Sequence, residues 1–119
     1  MTIEHDMITD KVCFISLDDR STHVIRREVA EFALAMETKL RKNDHKTGWH
    51  DQPIEAHIKL LKIELMEFDV AYEFLGEAEA AKECIDIANF ALIIRDKLLA
   101  RVKARNRIIT SAEIMSEEP

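Results

Sequence analysis

Apolar residues recur along most of this chain in steps of three and four, which is the period of an amphipathic helix. Between 22 and 43 the set is Ile25, Val29, Phe32, Ala33, Met36 and Leu40. It predicts a first helix, with N-cap candidates in the Asp18–Thr22 stretch. From 53 to 75 the seam Ile54, Ile58, Leu61, Leu65, Phe68, Tyr72 and Leu75 alternates steps of four and three without a break. Pro53 suits the start of that helix and Gly76 its end, as a left-handed cap. Asp51 or Gln52 is the expected capping side chain. A third helix follows directly from 77 to about 103, with Ile87, Phe90, Ala91, Ile94, Leu98 and Val102 flanked by Cys84, Ile85, Ile93 and Leu99. More than one of its faces is apolar, so burial on two sides is expected.

Residues 1–19 have no helical period and read as a strap, with Val12–Ile15 a candidate short strand. The polar run 43–52 reads as a loop bending at Gly48, and 106–119 as a flexible acidic tail. The expected fold is therefore all-α. Three long helices over 20–105 form a bundle completed by homo-oligomerisation, as a homodimer or homotetramer, because one chain cannot cover such wide faces.

Composition sharpens this picture. Of 119 residues, only 2 are Gly and 2 are Pro, so turns are few and elements long. Gly48 and Gly76 stand too far apart for a P-loop, a dinucleotide fingerprint or a nucleophile elbow. The net charge of −6 disfavours a nucleic-acid polymer as partner but leaves room for a small anionic substrate beside a divalent metal. Cys13 and Cys84 lack metal-ligand spacing and fit a reducing, cytoplasmic setting. No apolar run is long enough to span a membrane, and the acidic N-terminus does not read as a signal peptide.

Two acidic pairs carry the candidate chemistry: Glu64-x-x-Glu67 on the second helix and Glu83-x-x-Asp86 on the third. Pairs at this spacing also arise by chance in a chain with 23 acids, and on a solvated face they carry no function. Their neighbours argue otherwise. Neither Glu64 nor Glu67 has a Lys or Arg at three or four residues, and each faces a like charge. The first helix, by contrast, sets Arg27 with Glu31 and Glu37 with Arg41. Register points the same way, since Glu67 lies nine residues before Gly76 and Asp86 ten after it. In an antiparallel hairpin the two pairs meet at nearly one height. Four converging carboxylates repel unless a cation or a proton intervenes, and all-oxygen ligation suits Mg²⁺ or Mn²⁺. Di-iron and zinc sites fit less well, because no histidine follows an acid at three residues.

At these residues the chain resembles the MazG-like, all-α NTP pyrophosphohydrolase superfamily, whose signature is E-E-x-x-E followed by E-x-x-D. Glu64 and Glu67 match the later acids of the first motif, Ile63 standing in place of its first, and Glu83 and Asp86 match the second. Glu37–Trp49 is also similar to the segment preceding the acidic motif in small phage-type members acting on dATP or dGTP. The resemblance covers roughly residues 28–100. It implies metal-dependent hydrolysis of a nucleoside triphosphate between its α- and β-phosphates, with Mg²⁺ or Mn²⁺ held by Glu64, Glu67, Glu83 and Asp86. A phosphoribosyl-ATP type substrate is the alternative within the superfamily.

Glu64 has the most apolar neighbours of the four and is the candidate general base. Lys39, Lys42, Asn43, Lys46 and Lys97 are candidate substrate contacts, although basic residues at a helix end also suit its dipole. Asn89, one turn beyond Asp86, is either a base or sugar contact or a buried structural residue. Trp49 either stacks on a purine or caps the core. Histidines 45, 50 and 57 are expected at the surface or in loops. The reading from a different class is a non-catalytic helical dimerisation or adaptor module, which accounts for the seams but not for co-registered acids.

Overall fold

The structure, a computed structural model, describes the backbone of residues 2–5, 12–18, 21–43 and 51–117, and side chains within 24–43 and 51–110. The chain divides into two compact units, residues 1–45 and 46–119.

The first unit opens with three antiparallel strands, β1 (Thr2–His5), β2 (Val12–Asp18) and β3 (Ser21–Arg26), in the order β1-β2-β3. Ile3 pairs with Ile15, Phe14 with Val24 and Val12 with Arg26, and a bulge interrupts the β2–β3 ladder between Ser16 and Asp18. The candidate strand at Val12–Ile15 thus lies inside β2, within a larger sheet than the expected strap. β3 takes over residues assigned above to the first helix. The run Ser21-Thr22-His23-Val24-Ile25 is rich in β-branched residues, which pair well along a ladder. Periodicity alone puts Ile25 on the helical seam.

Helix α1 (Arg27–Lys42) begins where the ladder stops, with Arg26 at its N-cap and no side-chain cap, so the Asp18–Thr22 candidates do not serve it. Glu28 in its first turn and Lys39, Arg41 and Lys42 in its last complement the helix dipole. The two expected i,i+4 ion pairs form, Arg27 to Glu31 at 2.7 Å and Arg41 to Glu37 at 3.0 Å. Ala30 is buried, whereas Val29 and Phe32 remain exposed.

The second unit is an antiparallel helical hairpin. Helix α2 (Ile54–Val70) starts after Pro53, which occupies the N-cap without a side-chain hydrogen bond, so neither Asp51 nor Gln52 caps it. Its last turn, Ala71–Leu75, widens into a π-helical turn closed by the Gly76 N–H donating to the Ala71 carbonyl at 2.9 Å. Gly76 has φ 104° and ψ 168°. Its φ is positive as expected, but the conformation is extended rather than the compact left-handed cap, and it is one that essentially only glycine adopts. Helix α3 (Glu77–Glu117) then begins at once, the Ala80 N–H bonding to the Gly76 carbonyl at 3.1 Å. It does not end near 103. Residues 106–117, expected as a frayed tail, continue the helix.

Burial shows which faces meet. On α2 the covered positions are Ile54, His57, Leu61, Glu64, Phe68 and Ala71, a stripe stepping by three and four. On α3 the matching stripe is Ala80, Glu83, Ile87, Phe90, Ile94 and Lys97, with Asn89 and Ile93 buried and Cys84, Ile85, Asp86 and Ala88 half-buried beside it. The contact face of α2 is thus rotated from the predicted seam: Ile58, Leu65, Tyr72 and Leu75 stand exposed along its flank. The architecture is helical as expected, with a sheet added at the N-terminus. Among the described residues no helix is long and apolar enough to cross a membrane.

Candidate metal centre

The rotation of α2 sets Glu64 inside the interhelical stripe, two turns after His57 and one turn before Phe68. Opposite it, Glu83 and Asp86 lie one turn apart on α3, and all three are half-buried. One carboxylate oxygen from each of Glu64, Glu83 and Asp86 lies within 4.8 Å of the other two. This convergence follows from the hairpin. A turn made by one residue, Gly76, forces the helices antiparallel and brings positions roughly equidistant from it to the same height.

Glu67 behaves differently. It is exposed, one turn after Glu64, and hydrogen-bonds to the Glu64 carboxyl without joining the group of three. The structure thus brings three of the four expected carboxylates together and leaves the fourth touching one of them.

The electrostatic consequence concentrates on Glu64. Its carboxyl is raised from 4.5 to about 7, first by burial, then by hydrogen bonds to the carboxyls of Glu83 and Glu67 and by repulsion from Glu67 and Asp86. Without a cation, a proton shared among these oxygens relieves the repulsion. The Oε2 atoms of Glu64 and Glu83 are buried and accept no hydrogen bond from any described group. Two buried acceptor atoms of this kind are costly unless an unseen donor or cation completes them. An all-carboxylate donor set fits a hard divalent cation such as Mg²⁺ or Mn²⁺.

The other candidate residues are distributed less simply. Lys97 donates from Nζ to the Gln52 carbonyl at 2.8 Å, tying α3 to the residues that lead into α2. Asn89 is buried, as one of its two readings required. Lys39 and Lys42 lie in the exposed last turn of α1, and Asn43 is its C-cap, its N–H bonding to the Leu40 carbonyl at 3.1 Å. All three belong to the first unit. Lys46, Trp49, His45 and His50 lie outside the described residues.

One expectation is corrected outright. His57, expected at the surface, is 4% exposed in the interhelical stripe, its ring 6.4 Å from that of Phe90 at an interplanar angle of 39°. The signal was present in the sequence. Ile54-His57-Leu61 steps by three and four as regularly as Ile54-Ile58-Leu61, and only hydrophobicity favours the second. Cys84, beside Glu83, is a half-buried free thiol.

Comparison of the chain with protein-family models, with curated proteins and with solved structures found no match.

Proposed function

We propose that this chain is a metal-dependent nucleoside triphosphate pyrophosphohydrolase, cleaving a (deoxy)nucleoside triphosphate, with dATP and dGTP as first candidates, to the monophosphate and pyrophosphate. The observation that carries the proposal is the meeting of Glu64, Glu83 and Asp86 oxygens within 4.8 Å across two antiparallel helices. The signature likeness described above gives that cluster a reaction. In this reading Glu64, Glu83 and Asp86 hold the cation, Glu67 extends the set from its exposed side, and Mg²⁺ or Mn²⁺ supplies charge neutralisation and polarisation of the phosphates.

The protein's own groups do the rest. Glu64, beside three other carboxyls, takes a proton from the attacking water as it adds to the α-phosphorus. The bond to the bridging oxygen breaks, and pyrophosphate leaves with the electron pair. Within the hairpin, Asn89, one turn beyond Asp86, is the candidate contact for base or sugar. Lys97 is the weakest candidate, since its ammonium already serves the Gln52 carbonyl. A cytoplasmic homodimer or homotetramer completes the reading.

The test is pyrophosphate release from each of the eight common nucleoside triphosphates, with Mg²⁺, with Mn²⁺ and with EDTA, alongside Glu83→Gln and Asp86→Asn. Metal-dependent release with a base preference, lost in both variants, supports the proposal. No release from any of the eight, with no metal-induced rise in melting temperature, rejects it.

A further inference from the structure

Helix α3 carries a second stripe, on the face turned away from α2. Ala78, Ala81, Ile85, Ala88, Leu92, Arg95, Leu99, Val102, Asn106 and Ile109 follow one another in strict steps of three and four. That is a heptad seam sustained over four repeats, the pattern of a helix made to pack against another helix. Ile85 and Ala88 are half-buried, and the other positions are exposed. Leu92 is 41% exposed, and Leu99, Val102 and Ile109 are also open.

From the seam's composition and the charges beside it, we infer that this stripe pairs with the same stripe of a second copy of the chain, the two α3 helices running antiparallel. In the proposed register, positions whose numbers sum to 180 face each other. The layers are then Ala78 with Val102, Ala81 with Leu99, Ile85 with Arg95 and Ala88 with Leu92, each occurring twice by symmetry. Small residues gather in the first half of the seam and large ones in the second. Antiparallel pairing sets large against small in three of the four layers and lets the backbones approach evenly. The long stem of Arg95 packs along Ile85 while its head reaches water.

Charge selects the same arrangement. Arg101, Lys103, Arg105 and Arg107 follow one another with no acid between them, on a chain whose net charge is −6. All four are exposed. The start of α3 is acidic, with Glu77 and Glu79 in its first turn. The register sets Glu77 of one copy beside Arg105 of the other, and Lys82 beside Asp96. Lys82 meanwhile keeps its 3.1 Å pair with Glu79. A parallel, in-register pair would face Arg95 with Arg95, stack alanine on alanine and bring the two basic segments together. The inference concerns the partner and register of the expected oligomer, and it stands whether or not the carboxylate cluster is catalytic.

The test uses the full chain with Cys13→Ser and Cys84→Ala. One tagged population carries Ala81→Cys and the other Leu99→Cys, mixed before mild oxidation. Disulfides between unlike protomers are expected, since those positions face each other. Two copies of position 81 would lie ~27 Å apart along the axis, beyond any disulfide. Disulfides joining 81 to 81 would overturn the antiparallel register.

Sedimentation equilibrium supplies the second readout. Glu77→Arg and Arg105→Glu are each expected to raise the dimer Kd about tenfold, and together to restore it. A dimer indifferent to both changes and to Leu99→Glu would place the interface elsewhere. A wild-type chain that stays monomeric at tens of micromolar yet binds vesicles containing phosphatidylserine would assign the basic, apolar half of α3 to a membrane surface. Either result would reject the proposal.

Discussion

Replacing Glu64 by Gln removes the charge that the carboxylate cluster opposes most, and its consequence for stability has a definite sign. In the folded chain the Glu64 carboxyl titrates at about 7 instead of 4.5. The folded state therefore holds this proton more tightly than the unfolded state does. Stability from this source is fully present below pH 4.5, declines as the pH rises, and is lost once the pH passes about 7. At about 1.4 kcal/mol for each pH unit the interval amounts to roughly 3 kcal/mol. Because the site is only half-buried, solvent screening reduces this to about 1–2 kcal/mol. For a chain of this size that corresponds to a fall in melting temperature of roughly 3–10 °C between pH 4.5 and pH 8 in EDTA.

The Glu64→Gln chain lacks the titrating group, so its curve should fall less steeply and lie above the wild type at pH 8. Adding Mn²⁺ should reverse the order. The cation takes the place of the proton, so the wild type gains melting temperature, more at pH 8 than at pH 5. The variant should gain little. The assay is helical circular dichroism against temperature at four pH values, with EDTA and with Mn²⁺ titrated upward; a concentration a hundredfold above its Kd is enough for about 2.7 kcal/mol. Parallel EDTA curves for wild type and variant would refute the claim that Glu64 is held in a repulsive, partly desolvated cluster. An equal Mn²⁺ gain in both would refute its place among the ligands.

Three further measurements probe the frame around the site. Gly76→Ala meets no neighbouring atom but forces a side chain onto a backbone that favours glycine, and it should cost about 1–3 kcal/mol in denaturant unfolding; no change would mean that the turn relaxes freely. His57→Ala should lose about 1–3 kcal/mol by opening a cavity against Phe90, where a surface histidine would lose almost nothing. Lys97→Met should lower stability by about 0.5–1.5 kcal/mol through the lost bond to the Gln52 carbonyl, while leaving the KM for any accepted triphosphate unchanged. A KM rise without a stability loss would return Lys97 to the substrate.

The helices, their order and the antiparallel turn at Gly76 were legible in the sequence, because apolar period and scarcity of glycine are properties of the chain alone. So were the two acidic pairs and their common height, which follow from counting outward from one turn. The Arg27–Glu31 and Glu37–Arg41 pairs were legible as well, since i,i+4 neighbours meet on any helix. What it left undetermined is rotation about the helix axes. Ile54-Ile58-Leu61-Leu65 and Ile54-His57-Leu61-Glu64 are neighbouring stripes on one cylinder, separated by about 100° at alternate positions. Hydrophobicity favours the first, whereas packing against α3 covers the second. That choice buries His57 and turns Glu64 from the edge of the seam into the interface, leaving Leu65 and Tyr72 exposed. The β3 strand was hidden for a related reason. Thr22, Val24 and Ile25 satisfy both a strand and a helix pattern, and only pairing with β2 decides between them. The chain's own pattern specifies which elements exist; which of their faces meet, and hence which carboxylates share a site, depends on contacts between residues far apart in sequence.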